Sequence, residues 1–94
     1  KDLKELNSQN KIPLFISIDQ EGGRVNRMPK EFLNLPVENL IANKMGEEGV
    51  KKAASIISEI LSEAGFNMNF APVLDLKRFD TKAIGDRSFC NLIL

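Results

Sequence analysis

The stripe of apolar residues between positions 47 and 64 constrains this chain most. Val50, Ala53, Ala54, Ile57, Ile60, Leu61 and Ala64 recur at helical spacing and mark one side of an α-helix. Glu47 and Glu48 sit at its start, where they complement the macrodipole, and four residues ahead of Lys51 and Lys52. Gly65 follows the last periodic residue, the expected place for a left-handed cap. A helix this one-sided must bury its stripe, and two short apolar runs flank it. Residues 12–18 are β-branched, open near Pro13 and end at Asp19. So continuous a run predicts a strand buried on both faces, as in a parallel sheet, with Pro13 at the start where its missing N–H is tolerated. Residues 67–74 alternate Met68 and Phe70 with Asn67 and Asn69, which predicts a second strand whose length Pro72 limits.

Strand, helix, strand in this order predicts a parallel pair joined by a right-handed crossover. Asp19 and Asp75 then end their strands on the same, C-terminal edge, which carries the ligand site in parallel α/β folds. Residues 1–11 read as the end of a helix turning at 7–10, and residues 37–44 as a short helix with Leu40 and Ile41 inward. Between them, residues 19–36 form a long connection with two adjacent glycines and two arginines, and connections of that length are often functional.

Composition narrows the chemistry. The 94 residues allow one small domain or a piece of a larger one, and thirteen basic residues balance thirteen acidic ones. Zero net charge gives no electrostatic reason to expect nucleic acid or an anionic membrane as partner. The chain has no His, which excludes Ser-His-Asp and Cys-His catalysis and His-ligated zinc within it. Its single Cys, Cys90, cannot form an intrachain disulfide and reads as a buried or incidental thiol. No stretch approaches the roughly 20 apolar residues of a membrane span. The polar N-terminus lacks the apolar core of a signal peptide. The expectation is therefore a cytoplasmic protein; a secreted parent stays open, because the first residue is not Met.

The densest polar cluster is residues 19–27, DQEGGRVNR. Asp19 at the strand end can accept hydrogen bonds from hydroxyls, Gly22-Gly23 permits a tight turn, and Arg24 and Arg27 can hold carboxylates. The competing reading is a surface turn with local ion pairs. Asp75 reads as a turn cap or a partner for an arginine somewhat more than as a substrate contact, and Asp86-Arg87 as a solvated pair. Asp19, Glu21, Asp75, Asp80 and Asp86 are carboxylates enough for glycoside hydrolysis, but spacing selects no pair among them.

Three motifs together, PLFISIDQEGGRVNR, GFNMNFAPVLD and IGDRSF, strongly resemble glycoside hydrolase family 3, in its bacterial β-N-acetylhexosaminidase branch, across residues 13–89. The resemblance implies an α/β fold, part of a TIM (β/α)8 barrel from about the second strand to the loop after the third, with residues 1–94 as a partial N-terminal domain. A whole barrel of this type takes about 250 residues. It further implies retaining hydrolysis of terminal β-linked N-acetylglucosamine, in many bacteria from muropeptides, without metal or organic cofactor. By the motifs, Asp19, Arg27 and Arg87 are substrate-binding, while Asp75 and Asp86 are structural. The nucleophile and the acid/base would lie beyond residue 94, so no catalytic residue is assigned and the chain alone is expected to be inactive. The partners implied are an N-acetylglucosamine-containing saccharide and the remainder of the barrel. A β-glucosidase-type enzyme and a non-catalytic or inactive fragment are the alternatives. The sequence after residue 89 departs from the family's usual continuation.

Overall fold

The computed structural model describes residues 2–32, 34–77 and 82–90. A short helix α1 (Leu3–Ser8) opens the chain, with the Asp2 carboxylate accepting from the Lys4 backbone N–H at 2.8 Å. Strand β1 (Ser17–Ile18), helix α2 (Glu38–Ala64), strand β2 (Met68–Asn69) and a 3-10 turn (Gly85–Arg87) follow. β1 and β2 pair in parallel with Ser17 opposite Met68 and Ile18 opposite Asn69. The expected strand–helix–strand order and parallel pairing are both present.

The pairing is much shorter than the apolar runs predict. Only two residues of each run are strand, and Ile12 and Phe15 are 78% and 80% exposed. The expectation of a strand buried on both faces fails for a physical reason: among the described residues β1 has a neighbour on one edge only, and its run is covered no further than the half-burial of Ile16 and Ile18. Beyond the ladder, asparagine side chains continue the pairing. Asn67 accepts from the Ile16 N–H at 2.6 Å and donates to the Leu14 carbonyl at 2.9 Å. Asn69 does the same for Gln20, accepting from its N–H at 3.0 Å and donating to its carbonyl at 2.9 Å. Each amide presents a donor and an acceptor side by side, as a strand backbone does. The polar half of the 67–70 alternation is thus spent on the chain's own backbone. A cis Ala71–Pro72 bond follows, where the sequence placed the limit of the strand.

Helix α2 joins the two predicted helices across a break at Gly46, where φ is 63° and ψ −159°. Ile41, Ala53 and Leu61 are its buried apolar side chains, while Leu40, expected inward, is exposed. The helical stripe is real but only partly covered: Val50, Ile57 and Ile60 are half-buried and Ala54 is exposed. Lys51 collects both acidic residues, Glu47 at 3.3 Å and Glu48 at 3.6 Å. The radius of gyration is 15.2 Å, above the roughly 12 Å expected of a compact domain of this length. Among the described residues no helix is long and apolar enough to cross a membrane.

Gly65 caps α2 in the left-handed region at φ 100°, its N–H donating to the Leu61 and Ser62 carbonyls. A Cβ placed there would sit 2.7 Å from the Leu3 Cβ and 2.8 Å from the Lys4 backbone nitrogen. The glycine therefore serves both the cap and the seating of α1. Gly65→Ala is expected to destabilise the chain by about 2 kcal/mol, from the disfavoured conformation together with displacement of α1. Urea unfolding measured beside the α1 deletion checks this, since the alanine should cost little once α1 is gone.

Candidate functional site on the C-terminal edge

Three consecutive residues after β1 organise this edge. Asp19 is exposed, and its carboxylate makes no hydrogen bond or ion pair among the described residues. Gln20 is buried, 6% exposed. Its amide donates to Asn26 Oδ1 at 2.7 Å and accepts from the Arg27 backbone N–H at 2.7 Å. Glu21 holds Arg87 with both oxygens, at 2.9 Å to Nε and 2.8 Å to Nη2. Asp19 thus stands free, its neighbour fixes the backbone of Arg27, and the next residue fixes the side chain of Arg87. The Arg27 side chain is exposed and has no ion pair among the described residues.

The diglycine turn lies between these parts. Gly22 and Val25 exchange backbone hydrogen bonds at 3.2 and 3.1 Å. Gly23, at φ 54°, presses on the start of α2: a Cβ there would lie 2.8 Å from the Val37 Cα and 3.3 Å from Glu38 Oε2. Arg24 then reaches across to the far loop. Its Nε pairs with Asp86 at 2.9 Å, and Nη2 donates to the carbonyls of Lys82, Ala83 and Ile84 at 3.3, 2.7 and 3.2 Å. A half-exposed ion pair is worth little alone; here the same guanidinium also gathers three carbonyls. Asp86 is therefore a tie for Arg24 and no solvated partner of its neighbour Arg87. Ser88, buried at 1% exposure, anchors the other end of this loop: its hydroxyl lies between the carbonyls of Asp75 and Cys90. The Asp75 side chain holds no arginine among the described residues, so only its backbone is used. Cys90 is exposed, which leaves the incidental thiol of the two expected readings. Asp80 lies outside the described residues.

Electrostatics single out Glu38, which the sequence reading passed over. It is 3% exposed at the first position of α2, and neither carboxylate oxygen has a hydrogen-bond partner. Burial raises its pKa to about 7, and the charges of Glu21 and Asp86 push the same way. Its own backbone N–H, short of hydrogen-bond geometry, and the Arg87 guanidinium oppose the rise. Arg87 is held more firmly in its charged form by the Glu21 hydrogen bonds. The only sequence signal for Glu38 was an acid next to the apolar pair Leu40-Ile41. Gln20 gave none, since a polar residue between two acids reads as surface.

Beside this cluster an apolar groove of about 660 Å³ runs between α2 and β2, with Glu38, Ile41, Ala53, Leu61, Phe66 and Met68 in its walls. Asp19, Arg27 and Arg87 do not line it. The polar edge and the groove adjoin through Gln20 and Glu21, which line the groove together with Glu38. Among the described residues no group of three Asp, Glu or Cys is placed to hold a metal ion.

Comparison with known proteins decides what this edge belongs to. The profile of the glycosyl hydrolase family 3 N-terminal domain matches residues 2–92. The chain belongs to glycosyl hydrolase family 3. Among curated relatives of this family 3 chain, the β-hexosaminidase of Mannheimia succiniciproducens is 38% identical over 93 residues, covering 94% of the chain and 26% of that protein. The β-hexosaminidase of Photobacterium profundum is 41% identical over 87 residues, covering 92% and 26%. The chain spans about a quarter of the length of these relatives. Among solved structures, NagZ from Neisseria gonorrhoeae in complex with N-trifluoroacetyl-D-glucosamine aligns with a TM-score of 0.74 and 32% identity, over 94% of the chain and 28% of NagZ. The native form of that enzyme gives 0.73 and 36%, over 94% and 29%.

Glu38 carries a consequence for stability against pH. Its folded pKa near 7 stands above the ordinary 4.5, so between these values the folded chain binds more protons than the unfolded one and stability falls as pH rises. The penalty is absent below about pH 4.5 and full above about pH 7, with a size on the order of 3 kcal/mol. Glu38→Met removes it. The stability gap between variant and wild type is expected to widen by about that amount from pH 4.5 to pH 8, read from urea unfolding at both values.

Proposed function

We propose that this chain is part of the (β/α)8 catalytic domain of a retaining β-N-acetylhexosaminidase (EC 3.2.1.52), acting on terminal β-linked N-acetylglucosamine of muropeptides or other glycans. In this reading it supplies sugar-holding groups, and the polypeptide that completes the barrel supplies the nucleophile and the acid/base. The observation that carries it is the edge built by residues 19–21. There a carboxylate and a guanidinium without an ion pair among the described residues, Asp19 and Arg27, share one rim with the braced Arg87. The relatives named β-hexosaminidase and the NagZ complex with an N-acylglucosamine support the choice of sugar.

The chemistry follows from charge and geometry. The Asp19 carboxylate accepts hydrogen bonds from sugar hydroxyls, and Arg27 donates to sugar oxygens from a position its backbone bond to Gln20 keeps constant. Arg87 spends three N–H groups on Glu21 and Ala83, which leaves two for ligand. Double displacement needs a carboxylate free to attack and a second carboxyl about 5–5.5 Å away. Glu21 and Asp86 are committed to arginines, and Glu38 faces the apolar groove. The exposed Ile12, Leu14, Phe15, Phe70 and Leu74 are the surfaces that the rest of a barrel would cover.

The chain alone is expected to bind N-acetylglucosamine weakly and to leave p-nitrophenyl N-acetylglucosaminide intact. Turnover by the purified chain that Asp19→Asn abolishes would refute the division of labour. In the full-length parent, Arg27→Ala and Arg87→Ala should each lower kcat/KM by about 10- to 150-fold, the equivalent of about 1.5–3 kcal/mol for a charged hydrogen bond. Arg24→Ala should cost less, because Arg24 braces the loop. Kinetics with Arg24 as the dominant loss and the other two silent would overturn the assignment.

A further inference from the structure

Glu38 leaves a chemical demand unmet. A buried carboxylate is ordinarily paired or fully hydrogen-bonded, and this one has neither oxygen satisfied. The start of α2 lies against the end of the 3-10 turn, where the Asn39 amide donates to the Ser88 carbonyl at 3.3 Å, and Glu38 lines the groove together with Glu21. The charges that act on it are those of Glu21, from the connection after β1, and of Asp86 and Arg87, from the 3-10 turn. Arg24 reaches the same cluster through Asp86, at 2.9 Å. Among the groups that act on Glu38, Arg87 is the one of opposite charge, and Glu21 already grips it through two hydrogen bonds. Glu38 therefore lies near a guanidinium that Glu21 already holds and that still has two N–H groups to give. Glu38 also lines the open groove, so its proton can exchange with water there.

We propose that Glu38 is a positioning residue for Arg87. With its proton on, Glu38 leaves the guanidinium bridged to Glu21 and its spare N–H groups free for a ligand. With its proton lost to water, Glu38 competes with Glu21 for those N–H groups and draws the guanidinium off that pose. The effect on sugar binding rests on the sugar-site reading above; the coupling between the three side chains does not.

The test follows two nuclei in the 94-residue chain, the Glu38 carboxyl 13C and the Arg87 15Nε, between pH 5 and pH 9. Both resonances should move together with one midpoint near 7. Glu38→Gln should flatten the Arg87 response. Glu21→Gln should move the midpoint down by a unit or more, because it removes a neighbouring negative charge and releases Arg87 to Glu38. N-acetylglucosamine affinity should weaken on the order of tenfold from pH 6 to pH 8.5 in the wild type and stay level in Glu38→Gln. A Glu38 titration that leaves the Arg87 15Nε unmoved overturns the proposal. So does a midpoint unchanged by Glu21→Gln, which decides the matter even if Glu38→Gln does not fold. Joint titration with flat or absent sugar affinity supports the coupling and removes Arg87 from the sugar site instead.

Discussion

The fold depends on side-chain amides standing in for backbone. A ladder of two residues per strand is too short to hold two segments in register, and Asn67 and Asn69 extend it at both ends. Gln20 then passes the same kind of bond onward, from Asn69 to Asn26 and Arg27. Through these three amides the register of the parallel pair sets where the polar edge falls. A slip of one position would undo the Asn69 pairing, the seat of Gln20 and the backbone of Arg27 together.

This arrangement explains which parts of the fold could be read in the sequence. Periodicity reports what a segment would bury, and it located α2, its Gly65 cap and both strand runs. It cannot report whether a covering surface is present. Residues 12–15 carry the composition of a buried strand yet lie exposed, because composition reports a capacity for burial and not the surface that meets it. Asn67 and Asn69 show the reverse error. Polar residues alternating with apolar ones read as a solvent face, whereas their amides bond to the opposite strand.

The candidate site was legible where chemistry is carried by exposed, uncommitted groups. Among the described residues the Asp19 and Arg27 side chains make no ion pair, and Arg24 braces the loop. Arg87 proves to be held by Glu21 and the Ala83 carbonyl, a commitment no one-dimensional pattern encodes. Glu38 was invisible for the same reason: its meaning arises only when Gly23 brings one loop against the start of α2. A carboxylate left without partners lowers stability near neutral pH. Its presence here is more intelligible as part of the Glu21–Arg87 cluster than as part of the core.

The parallel pairing also has an entropic side. Ser17 and Met68 are 51 positions apart, and closing a flexible loop of that length costs about 3–4 kcal/mol from the length-dependent part alone. Besides the ladder itself, the backbone donors of Asn67, Met68 and Phe70 reach the Ile16 and Ile18 carbonyls, at about 1 kcal/mol net each. The four asparagine amide bonds add to this, together with α2, whose two helical segments take up about half of the loop. The closure of this chain into one unit thus leans on a few carboxamide atoms as well as on its apolar runs.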